Sequence, residues 1–302
     1  MSVVVVGTVA LDSIYTPFGS VEEELGGSAC YFSLAARLYD DVTLLAVVGS
    51  DFPDRHVECL RTRGVNLAGL QLAEGPTFRW KGSYLDDLNT AVTLDTQLNV
   101  LTQFRPHVPR EFCRPDVLFL ANVDPDLQLQ ALSQVSGACL KVADTMNYWI
   151  ESKPSSLTKV FSAVDIVVIN EAEAKQFTGI GNLPAAAKAL LGLGMKALAI
   201  KRGEYGCALF TQTDYFVAPA YPLERVLDPT GAGDTFAGGF VGYLSRVRQL
   251  TPDSLRRAVL HGSAVASFAV EDFGVRRLLR LSVEEVVSRC RELRHFTYLE
   301  AL

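Results

Sequence analysis

The chain has no Cys-x-x-Cys pair, although six cysteines (Cys30, Cys59, Cys113, Cys139, Cys207 and Cys290) are scattered through its 302 residues. Zinc clusters and disulfide frameworks need paired or regularly spaced cysteines. Neither is expected, and the pattern suits a reducing cytoplasm. Cys30, Cys139 and Cys207 lie in apolar runs and read as small core residues. No apolar stretch approaches the ~20 residues that cross a bilayer. The opening "MSVVVVG" lacks the positive n-region of a signal peptide. A cytoplasmic protein with no membrane partner is expected. Positive charge is also scarce: 28 Lys+Arg stand against 34 Asp+Glu, a net charge of −6. Without a basic stripe, nucleic acid is not an expected partner. The dipeptide Gly-Lys is absent, which excludes a Walker A loop, and no Gly-x-Gly-x-x-Gly marks a dinucleotide-binding dehydrogenase.

What is present is apolar material, 49% of the chain against 21% charged residues, enough for a large core. Short continuous runs recur at Val3–Val6, Leu44–Val48, Val117–Leu120, Ile166–Ile169 and Ala197–Ile200. Strands buried on both faces of a parallel sheet look like this. Helical patterns lie between them, at Ser28–Leu38, Asp51–Arg63, Leu127–Val135, Pro154–Ala163, Pro184–Leu191 and Asp253–Val270. The alternation predicts an α/β fold. Thr77–Phe104 breaks the rhythm: Phe78 and Trp80, then Val92 and Leu94, alternate as in half-buried antiparallel strands. That suits either a small lid sheet or a plain surface hairpin.

Polar residues follow the apolar runs: Asp12, then Asn122 and Asp124, Asp144 after "LKVA", Asn170 and Glu173, and Lys201. Ligands of open parallel sheets bind outside the carboxyl ends of the strands. Any one of these residues could be ordinary loop polarity; the recurrence over five strands points to one crevice. In "LDPTGAGDTFAGGF" (Leu227 to Phe240), Asp228-Pro229 stops regular structure. Phe236, Phe240, Leu244 and Val247 then recur at helical spacing, so a helix begins near Gly233. Small residues at a helix start let an anion approach unpaired N–H groups. Asp234 at that rim could merely cap the helix, which would stabilise it by ~0.5–2 kcal/mol. Capping leaves the glycines and Asp228 unexplained. A base that takes a hydroxyl proton beside amides that stabilise a transferring phosphoryl group explains them all. The helix dipole is expected to keep Asp234 ionised.

These residues resemble the C-terminal signature of the PfkB carbohydrate kinase family, the ribokinase-like kinases. Three further segments resemble family motifs in the family's order: "ELGGSACYFSLAARLY" the double-glycine motif, "NEAEAKQFTG" the Asn-x-x-Glu motif, and "KRGEYGCALF" the strand-turn-strand at the nucleotide phosphates. The resemblance implies one kinase domain over residues 1–302, a ribokinase-like three-layer sandwich around a mostly parallel sheet. It also implies a β-sheet lid at about 13–25 and 75–106. The implied activity is ATP-dependent phosphorylation of a sugar or sugar-like hydroxyl, with Mg2+ and, in some members, K+.

By the same resemblance Asp234 is the base, and Gly231, Ala232 and Gly233 form the anion hole. Asn170 and Glu173 organise magnesium, through water, and the triphosphate. Lys201, Gly203, Gly206 and Thr230 line the nucleotide. Asp12, Gly26 and Gly27 hold the acceptor, with Arg79 and Asn89 from the lid and Asn147 beside Tyr148 and Trp149. Asp228, with Thr230 and Gly274, falls at a monovalent-cation position. A homodimer through the lid is a further implied partner. Taken singly, Gly203 and Gly206 could be a hairpin turn, Glu173 a helix cap and Gly26-Gly27 a helix opening. One departure bears on the acceptor: ribokinase-type members commonly have asparagine where this chain has Tyr31. An aromatic there implies an altered pocket and brings in a nucleoside as acceptor. A catalytically silent binding protein of the same descent is the remaining alternative.

Overall fold

The computed structural model describes residues 3–85, 87–137 and 140–297. The valines of β1 (Val3–Val6) are all buried, and this strand lies at the heart of a nine-stranded sheet. Its companions are β4 (Val42–Gly49), β5 (Asn66–Ala73), β8 (Val117–Leu120), β9 (Leu140–Ala143), β10 (Ile166–Asn170), β11 (Ala197–Lys201), β12 (Cys207–Thr211) and β13 (Tyr215–Ala218). Their order is β13-β12-β11-β10-β9-β8-β1-β4-β5. All neighbours pair in parallel except β11 with β12 and β12 with β13.

Because successive strand residues face opposite ways, each continuous run feeds two cores. Val3, Val5, Leu44, Phe119 and Val168 point to one. There they meet α1 (Ser28–Ala36), and later in the chain α8 (Ala232–Val247), α9 (Pro252–Ala269) and α10 (Val283–Phe296). Val4, Val6, Leu118, Leu120 and Ile169 point to the other. On that side lie α3 (Pro125–Leu132), α5 (Pro154–Ala163), α6 (Glu171–Thr178) and α7 (Leu183–Leu191). The result is the expected three-layer α/β sandwich, completed by α2 (Asp54–Thr62) and α4 (Asn147–Ser152). Among the described residues no helix is long and apolar enough to cross a membrane.

Helix α8 is held at a fixed depth. A side chain at Gly238 would fall 2.5 Å from the Phe32 carbonyl of α1, and one at Gly239 would fall 2.9 Å from the His261 carbonyl of α9. Only glycine lets three backbones approach so closely.

A separate four-stranded sheet, ordered β3-β2-β6-β7, covers the carboxyl ends. It consists of β2 (Ala10–Thr16), β3 (Gly19–Gly26), β6 (Arg79–Ser83) and β7 (Val92–Gln97). It departs from the sequence reading in three respects. β7, with Val92 and Leu94, is exposed at every residue rather than half-buried, because it is an edge strand with no layer packed on it. β6 pairs antiparallel with β7, but its other neighbour β2 runs parallel to it. The lid also begins at Ala10, while both flanks of 75–106 stay with the core. Thr77 is fully buried and donates from N and Oγ1 to Asp51 at 2.7 Å, and Val100, in the 3-10 turn Asn99–Gln103, packs into the second core. Of the cysteines, Cys30 and Cys207 are buried as expected, and Cys139 lies outside the described residues.

Candidate active site

Sheet order brings together what the chain separates. Asp144 leaves the end of β9 and Lys201 ends β11, with β10 and Asn170 between them. Lys201 Nζ donates to Asp144 Oδ2 at 2.9 Å, and Asp144 is only 2% exposed. Burial works against the Lys201 charge, but Asp144 and Glu173 outweigh it and hold the ammonium protonated. At Gly233 a side chain would come within 3.0 Å of Lys201 Nζ, so the lysine lies directly against the start of α8.

That start has the form of an anion cradle. Its N-cap, Gly231, is left-handed (φ 71°) and no side chain caps the helix. Thr235 N donates back to the Gly231 carbonyl and Ala232 N to the Pro229 carbonyl. Among the described residues the N–H of Gly233 has no acceptor. Asp234 stands beside it in the first turn. Burial pushes its carboxyl up to about 7, Asp144 adds to the rise, and Lys201 opposes it. The expectation that the helix dipole keeps Asp234 ionised therefore holds only above about pH 7: desolvation and a neighbouring carboxylate outweigh the helix terminus.

At the lid, Asp12 of β2 is 4% exposed and accepts from Gly27 N at 3.3 Å. A Cβ at Gly26 would fall 1.9 Å from Asp12 Oδ2, so that glycine makes room for the carboxylate. Gly27 is left-handed (φ 93°) and opens α1. Burial raises Asp12 to about 7 against the pull of the Gly27 amide, and Asp228 and Asp234 add to the rise. Asp12 and Asp234 therefore share one low-dielectric space.

At the carboxyl end of β10, Asn170 and Glu173 form a reciprocal capping box at the start of α6. Glu173 N donates to Asn170 Oδ1 and Asn170 N to Glu173 Oε2, both at 2.8 Å. The bland reading of Glu173 as a cap is thus correct, yet the carboxyl is also in the cluster. Burial lifts it to about 7, with Lys201 opposing and Asp144 and Asp234 adding. Gly203 (φ 56°) and Gly206 (φ 88°) do form the turn between β11 and β12, Arg202 N donating to the Gly206 carbonyl at 2.8 Å. Among the described residues no three His, Cys, Asp or Glu side chains are grouped to hold a metal ion. Glu173 Oε2 accepts from Asn170 N, and among the described residues its other oxygen accepts from no protein donor, which suits a water held by a magnesium ion.

Four expected site residues sit differently. Tyr31 presents no surface to an acceptor: it is 1% exposed, and its ring lies 2.4 Å from where a Gly231 side chain would begin. It is the floor of the glycine turn, because α1 points it inward beneath α8. Asp228 has both oxygens engaged, from Thr230 N and Gly274 N at 2.8 Å each, so it braces the turn. Arg79 is spent on Glu23 (2.9 Å) and Asp51 (2.8 Å), tying lid to core. Asn147 is exposed at the head of α4, its Oδ1 accepting from Tyr148 N, while Trp149 reaches Asn122 at 3.0 Å. Two residues escaped selection as site residues. Asp144 was visible only as a polar residue after "LKVA", and Tyr84 of the lid, bonded to Thr230, carried no signal.

A carboxylate with a raised proton affinity, beside an open helix terminus and a half-buried lysine, defines a group-transfer site. The chain belongs to the pfkB family of carbohydrate kinases, whose model matches residues 2–280; these are phosphotransferases with a hydroxyl acceptor. Cytidine kinase of Thermococcus kodakarensis is 31% identical over 256 residues, 83% of this chain and 91% of that protein. In fold the chain is similar to the nucleoside kinase of Methanocaldococcus jannaschii, an archaeal member of the ribokinase family (TM-score 0.77, 21% identity, 96% of this chain and 98% of that one). It is also similar to Burkholderia thailandensis nucleoside kinase in complex with ADP-inosine (TM-score 0.80, 17% identity, 99% of each chain).

Proposed function

We propose that the protein transfers the γ-phosphoryl group of ATP to a ribose hydroxyl of a nucleoside. The observation that carries the transfer is Asp234 beside the uncapped N–H of Gly233, facing Asp12 on one side and Lys201 on the other. Asp12 and the Gly26-Gly27 backbone bind and orient the acceptor. Asp234, once ionised, takes the proton of the attacking hydroxyl. The free N–H of Gly233, in the small-residue turn made by Gly231 and Ala232, stabilises charge on the transferring group. Lys201, Gly203 and Gly206 receive the nucleotide with Thr230. Glu173, steadied by Asn170, would hold magnesium through water, and that ion would supply neutralisation of phosphate charge.

A nucleoside rather than a free sugar is favoured by the likeness to cytidine kinase over 91% of that protein's length. Tyr31 does not contribute to this preference, because its ring is buried. Asp228 accepts one backbone N–H on each oxygen, and in this reading it serves as the brace of the turn.

The test is ATP consumption over pentoses, hexoses, sugar acids and nucleosides, repeated with Asp234→Asn. Nucleosides should be consumed fastest, and the variant should bind ATP and acceptor while losing phosphoryl transfer. Normal turnover by Asp234→Asn would remove the base from the mechanism. A wild-type protein inert towards the whole panel would favour the silent binding protein.

A further inference from the structure

The segment that follows β6 carries one side chain from the lid into the centre of this site. Tyr84 N donates to the Tyr15 carbonyl at 2.8 Å, and its ring is buried with Ile14 and Val21. Backbone and ring thus belong to the lid. The phenol oxygen does not: Thr230 Oγ1 donates to it at 3.2 Å, immediately before the Gly231 turn. Thr230 is itself held by Asp228. A little further along the same segment, Asn89 meets the turn after β11, where a Gly203 side chain would fall 2.2 Å from Asn89 Oδ1. Asp87 shapes this stretch by accepting from Asn89 N at 2.9 Å and Thr90 Oγ1 at 3.0 Å. One lid segment therefore touches the turn before α8 and the turn after β11.

Building on the kinase reading above, we infer that Tyr84 is a positioning residue for phosphoryl transfer, its bond to Thr230 locking the Thr230–Gly233 turn to the lid that carries Asp12. A glycine-rich turn without a side-chain cap has few restraints of its own. The Tyr31 ring supports it from the core side, and the Tyr84 hydroxyl restrains it from the lid side. Placement of the anion-hole amides then depends on the placement of β2, so acceptor binding and amide alignment move together. Small misplacements of such donors are costly in rate.

The experiment compares Tyr84→Phe, Thr230→Val and the double variant. Tyr84→Phe keeps the buried ring, so its melting temperature should match the wild type. Its kcat should fall about tenfold, the kinetic equivalent of one hydrogen bond, with little change in the KM for either substrate. The double variant should be no slower than the slower single variant, because both remove the same bond. Amide hydrogen exchange of residues 231–234 in the ligand-free protein should be faster in Tyr84→Phe. Unchanged kcat and unchanged exchange, or losses that multiply in the double variant, would overturn the inference. A wild-type protein without turnover would instead sink the kinase reading, and exchange alone would then decide on Tyr84.

Discussion

Replacing Gly231 by alanine separates two ways in which a glycine can be required. Gly231 has φ 71°, where an L-residue costs roughly 1–2 kcal/mol. Its new Cβ would also fall 2.4 Å from Cγ and Cδ1 of Tyr31, well inside van der Waals contact. The ring is 1% exposed and cannot swing into solvent. Relief of such an overlap in a packed interior costs about 1–3 kcal/mol. The sum is roughly 2–5 kcal/mol, or roughly 4–10 °C in melting temperature for a chain of this size. Gly179 supplies the control, since it has φ 69° and nothing within 4 Å of the added carbon. Gly179→Ala should therefore show only the backbone share, roughly 2–4 °C. Thermal unfolding of the two variants isolates the steric share by difference. Activity should divide them further. Gly179→Ala leaves the site alone, whereas Gly231→Ala shifts the amides at the mouth of α8, and a displacement near 1 Å can cost about 10²-fold in kcat. Equal melting shifts for both variants, or a Gly231→Ala enzyme within about twofold of wild-type kcat, would refute the argument that this turn rests on the Tyr31 ring and must be glycine.

The rate should follow the ionisation of the buried carboxyls. Asp234 must be ionised to accept a proton, and burial lifts it to about 7, so kcat/KM should drop about tenfold per pH unit below that point and level off above it. Because Glu173 and Asp12 share the environment, the apparent value belongs to the cluster, and a profile flat from pH 5 to 8 would contradict the burial account. Lys201→Met should destabilise by about 3–5 kcal/mol in denaturant unfolding, because it strands the 2%-exposed Asp144 carboxyl. Adding Asp144→Leu should recover most of that loss; failure to recover would mean that packing of the lysine stem, rather than its charge, carried the effect.

How much of this could be read in advance depended on whether a signal was local. The runs that became β1, β8 and β10, and helix α5, were legible because doubly buried strands and a proline-led amphipathic helix announce themselves within a few residues. The strand β7 was half legible: its alternation was visible, but every residue is exposed, because it is an edge strand paired with β6 alone. Helix α10 was missed, since only Val286 and Leu293 are buried in a charged segment; the Ser282–Glu285 capping box was the available sign. At the candidate site, motif spacing singled out Asp12, Asn170, Glu173, Lys201 and Asp234, which the fold brings together, because glycine turns and strand ends are local features. Depth was not local. Tyr31 occupies a motif position, but whether its ring faces a ligand or the core depends on where α8 passes over α1, and Gly238 and Gly231 set that distance. Pairing was not local either: Lys201 and Asp144 are 57 residues apart, and only the order β9-β10-β11 places them 2.9 Å from each other. The proton affinity of Asp234 follows from both. A helix terminus read alone predicts an acidic carboxylate. The same terminus, desolvated and placed beside Asp144, raises the group to about 7, where it can accept a proton at neutral pH.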